Sequence, residues 1–145
     1  MRRFSKILLV YDGTPESKMA LAKCSQLALE LSARVEVVSV VDAIGMNALA
    51  GGQLSGEGFA HLERLAKEAV NSAAVQLQQE GIIAHGSVVF GNLSDALSSH
   101  AEISKSDVVI IGHRARKRFA RWWGDHALLS DLADRLVGST IITVT

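Results

Sequence analysis

The sequence predicts an α/β fold, a single domain on an open, twisted sheet of five parallel strands with helices on both faces. Three observations carry that prediction. Short β-branched runs alternate with longer stretches of helical period along all 145 residues. The alternation is strict, strand then helix, as crossover units in a parallel sheet require. The first run, Lys6 to Tyr11, is apolar on both faces, as a strand covered by helices on both sides has to be. No linker, internal repeat or low-complexity block divides the chain. A chain of 145 residues buries roughly 68–70% of its unfolded surface on folding, so one core without disulfide or metal staples is expected.

Lys6 to Tyr11 is the first strand. After Asp12-Gly13, Thr14 can cap a helix whose first position is Pro15, where a missing N–H is harmless, and Glu16 complements the positive end of the helix dipole. Ala20, Cys24, Leu27 and Leu31 then fall on one stripe, and Val35 to Val41 reads as the second strand. Residues 43 to 56 hold Gly45, Gly51, Gly52 and Gly56 among small side chains and read as a long loop. Phe59, Leu62, Ala66, Ala69, Ala73 and Leu77 form the next helical stripe, ended by Gly81 in a left-handed conformation. The third strand is Ile82 to Phe90. Asn92 caps the next helix, with Asp95 three residues on and Leu93, Ala96, Leu97 and Ile103 as its apolar side. Asp107 to Ile111 is the fourth strand. A basic and aromatic segment from Gly112 to Gly124 precedes a last helix carrying Leu128, Leu129, Leu132, Ala133 and Leu136, closed by Gly138. Thr140 to Val144 is the fifth strand.

Charge narrows the function. Fifteen Lys and Arg balance fifteen Asp and Glu, which argues against a surface built as a whole for nucleic acid or an anionic membrane. The exception is local: Arg114 to Trp123 interleaves five cations with Phe119, Trp122 and Trp123, a mixture that could grip nucleic acid through phosphates and stacked bases or lie on an anionic membrane, against the plainer and favoured reading of a solvated loop whose aromatics pack on the sheet or on a partner subunit. No run approaches the roughly 18 apolar residues of a membrane span. The apolar stretch Ile7 to Tyr11 behind Arg2 and Arg3 is too short for a signal peptide, and Cys24 has no partner for a disulfide, so a cytoplasmic protein is expected. Cys24 lies on a buried stripe and reads as packing. His61, His85, His100, His113 and His126 show no metal-ligand spacing, and no nucleophile elbow, P-loop lysine or paired catalytic carboxylate appears. Neither a metal nor a required cofactor is expected, nor catalysis as the main role.

In parallel sheets, ligands bind outside the carboxyl ends of the strands where the strand order reverses. Three groups converge there: Asp12-Gly13-Thr14 after the first strand, Val41-Asp42 after the second, and Gly112-His113-Arg114-Ala115 after the fourth. With Ile7 to Ser17, Gly91-Asn92 and Ile110 to Arg114 as ordered landmarks, the chain resembles the universal stress protein family from end to end, which makes residues 1–145 one universal stress protein domain. The resemblance implies an adenine-nucleotide alpha-hydrolase-like fold with strand order 3-2-1-4-5. It also implies a nucleotide site, for ATP or AMP, in which Val41 offers backbone bonds to adenine and Asp12 lies near the ribose or a metal-bridged phosphate. For both residues a plainer role competes: Asp12 bonding its own turn amides, and Val41 packing in the core.

ATP-binding members of that family carry Gly-x2-Gly-x9-Gly-(Ser/Thr) after the fourth strand, where backbone amides and a hydroxyl meet phosphates at a helix N-terminus. Here the pattern is degenerate. Gly112 matches the first glycine and Ala115 stands at the second; the third falls on Gly124 with the spacing shortened by one, or near Ala127 counted back from the last strand. The hydroxyl position is then Asp125 or Leu128. A carboxylate at Asp125 would take the helix donors itself and repel phosphates, and Leu128 offers no donor. Arg114, Arg116, Lys117, Arg118 and Arg121 could instead neutralise a phosphate through side chains, and His113 could touch one. The candidate nucleotide site is therefore Asp12, Gly13, Thr14, Val41, Gly112, His113, Arg114, Ala115, Gly124 and Asp125. The expected function is a stress-response regulatory or interaction protein without efficient ATP binding. The alternatives are an ATP or AMP sensor with at most slow hydrolysis, and a basic-patch nucleic-acid binder. The apolar last strand at the sheet edge, Thr140, Ile141, Ile142, Thr143 and Val144, predicts a homodimer through that edge.

Overall fold

The computed structural model describes residues 4–42, 56–112 and 129–145. Strand β1 (Lys6–Val10) leads into helix α1 (Pro15–Leu31), and β2 (Arg34–Val41) follows. Helix α2 (Gly56–Gln79), β3 (Ala84–Phe90), α3 (Leu93–Ser104) and β4 (Val108–Gly112) continue the alternation. Residues 129–135 are helical (α4), and β5 (Thr140–Val144) comes last. The five strands form one sheet in the order β3-β2-β1-β4-β5, and every pairing is parallel. The order implied by the resemblance is the order observed.

Alternating side chains send each strand's residues to two cores. On one face Ile7, Leu9, Val35, Val37 and Ile110 pack with Ala20 and Cys24 of α1 and with Val70, Ala73 and Leu77 of α2. On the other, Leu8, Val38, Val109 and Ile111 meet Leu97 and Ala101 of α3 together with Leu132 and Leu136. Central strands buried on both sides explain why the first run is apolar without alternation.

Both helix starts follow the sequence. Thr14 caps α1, accepting from the Ser17 N–H at 3.3 Å, with Pro15 at the first helical position. Asn92 caps α3, accepting from the Asp95 N–H at 3.2 Å.

Some boundaries move. The third strand starts at Ala84 rather than Ile82, because the chain is still closing α2: Gly81 sits at φ +87°, and Ile82 donates its N–H back to the Leu77 carbonyl at 3.1 Å. Asp107 precedes β4, and its carboxylate ties down the start of β1, accepting from the Ser5 and Lys6 N–H groups at 3.1 Å each. Two stripe assignments also fail. Ile103 is 77% exposed, because it lies six residues past Leu97 and so points away from the Ser94, Leu97 and Ala101 side. Ala133, next to buried Leu132, is exposed as well. The glycine-rich loop expected from residue 43 and most of the basic aromatic segment lie outside the described residues. Among those described, no helix is long and apolar enough to cross a membrane.

Candidate functional site

The strand order reverses between β1 and β4, and the strands end at different heights there. Val10 of β1 is level with Val38 of β2 and with Ile111 of β4. Strand β2 runs on to Val41, three residues or about 10 Å further, in step with β3 to Phe90. The result is a low floor at the ends of β1 and β4 beside a wall made by β2 and β3.

On the floor, Asp12 is exposed, and its Oδ1 accepts from the Thr14 N–H at 3.0 Å and from the Thr14 hydroxyl at 2.6 Å. The Ser17 hydroxyl donates to the Thr14 carbonyl at 3.0 Å, completing the first turn of α1. Gly13, at φ +83°, lets the chain turn between the strand and its helix cap. Tyr11 stands beside Asp12 and is buried; burial first, then the neighbouring carboxylate, raises its phenol above the ordinary value of 10.0.

Gly112 closes the floor from the β4 side. A Cβ on this residue would lie 2.2 Å from the Glu16 carbonyl oxygen and 2.9 Å from the Ser17 nitrogen. The first turn of α1 therefore lies directly against the end of β4, and only glycine admits that approach. The structure thus brings Asp12, Gly13, Thr14 and Gly112 together at the switch point. Val41 stands apart, up the wall, 4% exposed, with its carbonyl accepting from the Gly91 N–H at 3.1 Å. The predicted positions His113, Arg114, Ala115, Gly124 and Asp125 lie outside the described residues.

Sequence reading missed two polar clusters. Glu36, buried in β2, lies between His85 of β3, whose Nε2 is 2.7 Å from Oε1, and His100 of α3, which pairs with Oε2. Spacing gave no hint, since the three residues meet only through the β2 and β3 register and the return of α3. The one visible signal was a charged residue inside the apolar run Val35-Glu36-Val37. Each ring faces its own carboxylate oxygen, and among the described residues no group of His, Cys, Asp and Glu is placed to hold a metal. The second cluster joins α3 to α4: the Ser94 hydroxyl bonds Asp131, and Arg135 pairs with Asp95 and, at 3.2 Å, with Asp131.

With this geometry in hand, comparison with known proteins places the chain. No curated protein matches it in sequence. Solved structures match throughout its length at low identity. The universal stress protein UspA from Lactobacillus plantarum is 15% identical with a TM-score of 0.76, covering 100% of both chains. A universal stress protein from Archaeoglobus fulgidus in complex with dAMP is 16% identical with a TM-score of 0.68, again covering 100% of each. One from Arabidopsis thaliana with AMP bound is 12% identical with a TM-score of 0.61, covering 97% of this chain and 90% of the other. These likenesses establish the fold, which is adenine-nucleotide alpha-hydrolase-like. The sequence model of the universal stress protein family spans residues 3–145, so on both sequence and architecture the chain belongs to the universal stress protein family.

Proposed function

We propose that this chain is a stress-response regulatory or interaction protein that works in the cytoplasm as a homodimer, with residues 1–145 as one domain, and that it does not bind ATP efficiently. The observation that carries this reading is the state of the floor. The exposed Asp12 carboxylate sets negative charge at the start of α1, where Glu16 adds a second acidic residue in the first turn, and the Thr14 hydroxyl is already committed to Asp12. The altered pattern after β4 points the same way, with Ala115 at the second glycine and Asp125 or Leu128 in place of the hydroxyl. Dimerisation is supported by β5, an apolar strand at the open edge of the sheet.

A second reading has its own support: an adenine mononucleotide sensor. Relatives of the same fold hold AMP and dAMP, and a monophosphate asks far less of the altered stretch than ATP does. In that reading Val41 faces the base and Asp12 the sugar. Gly112, His113, Arg114, Ala115, Gly124 and Asp125 line the phosphate end, and hydrolysis is at most slow. A nucleic-acid or membrane role for the basic segment is disfavoured by the even charge of the chain.

Freshly purified protein should be denatured and any released nucleotide identified by mass spectrometry, and the emptied protein then melted with ATP and with AMP. Ligand at 100 times its Kd adds about 2.7 kcal/mol, a shift of several degrees for a domain of this size. The leading reading expects no ATP on the protein and no ATP shift. An AMP shift alone selects the mononucleotide reading, and an ATP shift rejects the claim of poor ATP binding.

A further inference from the structure

Helix α2 is longer than the strand it covers. Its 24 residues span about 36 Å against about 23 Å for the 7 residues of β3. The two elements are pinned at Gly86, where a Cβ would lie 2.9 Å from Val70, and all four buried residues of α2 fall from Val70 onward. From that pin the helix runs back about 21 Å to Gly56, whereas the strand runs on only about 13 Å to Phe90. The first turns of α2 therefore stand past the carboxyl end of the sheet, the end where this fold class takes ligands.

Phe59 is on that overhang and meets Phe90, the last residue of β3, with ring centroids 5.8 Å apart and planes inclined at 40°. The tilt keeps the rings from stacking on each other, and Phe90 is 49% exposed. Phe90 is also the register partner of Val41, and Gly91 donates to the Val41 carbonyl, so ring and backbone hold a fixed relation across one strand spacing. An aromatic ring half open to solvent at the carboxyl end of the sheet, with a second ring tilted against it, is a surface for a flat partner. Exposed Phe4, Leu29 and Ile83 have no such setting: Leu29 and Ile83 line a cavity of about 460 Å³ at the opposite end of the sheet, and Phe4 precedes β1 there.

We propose that Phe90, braced by Phe59, is the stacking wall of the cleft and makes the purine base the selected part of the ligand. The proposal rests on the mononucleotide reading above and adds the residue that would set its specificity. Stacking needs a π face and grows with ring overlap, so a purine gains more than a pyrimidine and a sugar phosphate gains nothing.

The test is calorimetric titration of AMP, CMP and ribose 5-phosphate into wild type, Phe90→Ala, Phe90→Leu and Phe90→Trp, with melting curves confirming that each variant folds. The expected order of affinity for wild type is AMP, CMP, ribose 5-phosphate. Phe90→Ala should lose about tenfold or more in AMP affinity, in line with alanine substitution at other base-stacking rings. It should leave ribose 5-phosphate unchanged. Phe90→Trp should keep AMP affinity and Phe90→Leu should lose it, a contrast that decides the matter even if the alanine variant does not fold. AMP binding untouched by Phe90→Ala, or retained in full by Phe90→Leu, overturns the wall while leaving the mononucleotide reading intact. Wild type that takes no AMP at all overturns that reading, and the proposal with it.

Discussion

At Gly112 a single hydrogen atom sets how closely two elements approach. The sequence presents this residue as the first glycine of a phosphate-binding pattern, and the packing supplies a second reason for it, the Glu16 carbonyl where a methyl group would be. Gly112→Ala must push backbone against backbone. We expect a loss of roughly 1–3 kcal/mol, the usual penalty of overpacking, read as a lowered midpoint in urea unfolding. A variant as stable as wild type would mean that the first turn of α1 moves freely. Asp12 was legible only as a pair of alternatives, and its bonds to Thr14 correspond to the plainer one, though they leave its second oxygen free of any turn amide. Cys24 follows the same logic of burial. It is fully enclosed between α1 and the sheet, and desolvation pushes its thiol up to about 12. A maleimide or disulfide reagent at neutral pH should therefore leave the native protein unlabelled and modify Cys24 at the rate of unfolding. Rapid stoichiometric labelling of folded protein would contradict the packing role.

Elements depend on polar staples that no periodicity announces. Helices α3 and α4 are joined by Ser94, Asp131, Arg135 and Asp95, residues that meet only because the crossover places one helix beside the other. The Ser94 hydroxyl, and after it Arg135, hold the Asp131 carboxyl below its ordinary value of 3.8. A carboxyl held low in the folded state contributes stability that is complete above 3.8 and fades as the pH falls through the folded value. The α3 to α4 contact should accordingly loosen only in strong acid. In Ser94→Ala the main cause is gone, so the Asp131 carboxyl should titrate closer to 3.8, as side-chain carbon shifts can follow. Unchanged titration would assign the effect to Arg135 instead. The capped starts of α1 and α3 were legible because a cap and its partner lie three residues apart. The Glu36, His85 and His100 cluster was not, since 49 residues separate the carboxylate from the nearer ring.

For the whole molecule, alternation and two-sided burial were enough to read a parallel sheet with helices on both faces, because both are local properties of each run. Strand order is not local and came from resemblance, and the observed order leaves β3 and β5 at the edges. Strand β5 is paired on one side with β4 and, among the described residues, with nothing on the other. Its inward residues are committed: Ile141 packs against one core, Ile142 and Val144 against the other. Beside the strand runs a groove of about 460 Å³, its lining including Lys23, Leu27, Glu30 and Ile142. A bare, apolar edge of this kind invites pairing, and a two-fold axis lets one copy of the strand satisfy another while ending the association at two chains. Thr143 is exposed on β5, so Thr143→Lys leaves the cores intact and adds a like charge to the edge strand of both copies. Light scattering at micromolar concentration should give a dimer for wild type and a monomer, or a dimer at least tenfold weaker, for Thr143→Lys with an unchanged circular dichroism spectrum. The midpoint of thermal unfolding should rise with concentration only for the wild type, because association stabilises the folded chain by mass action. A wild type that stays monomeric would leave the β5 edge guarded by its own twist and shortness, and the interaction surface would have to be sought on another face.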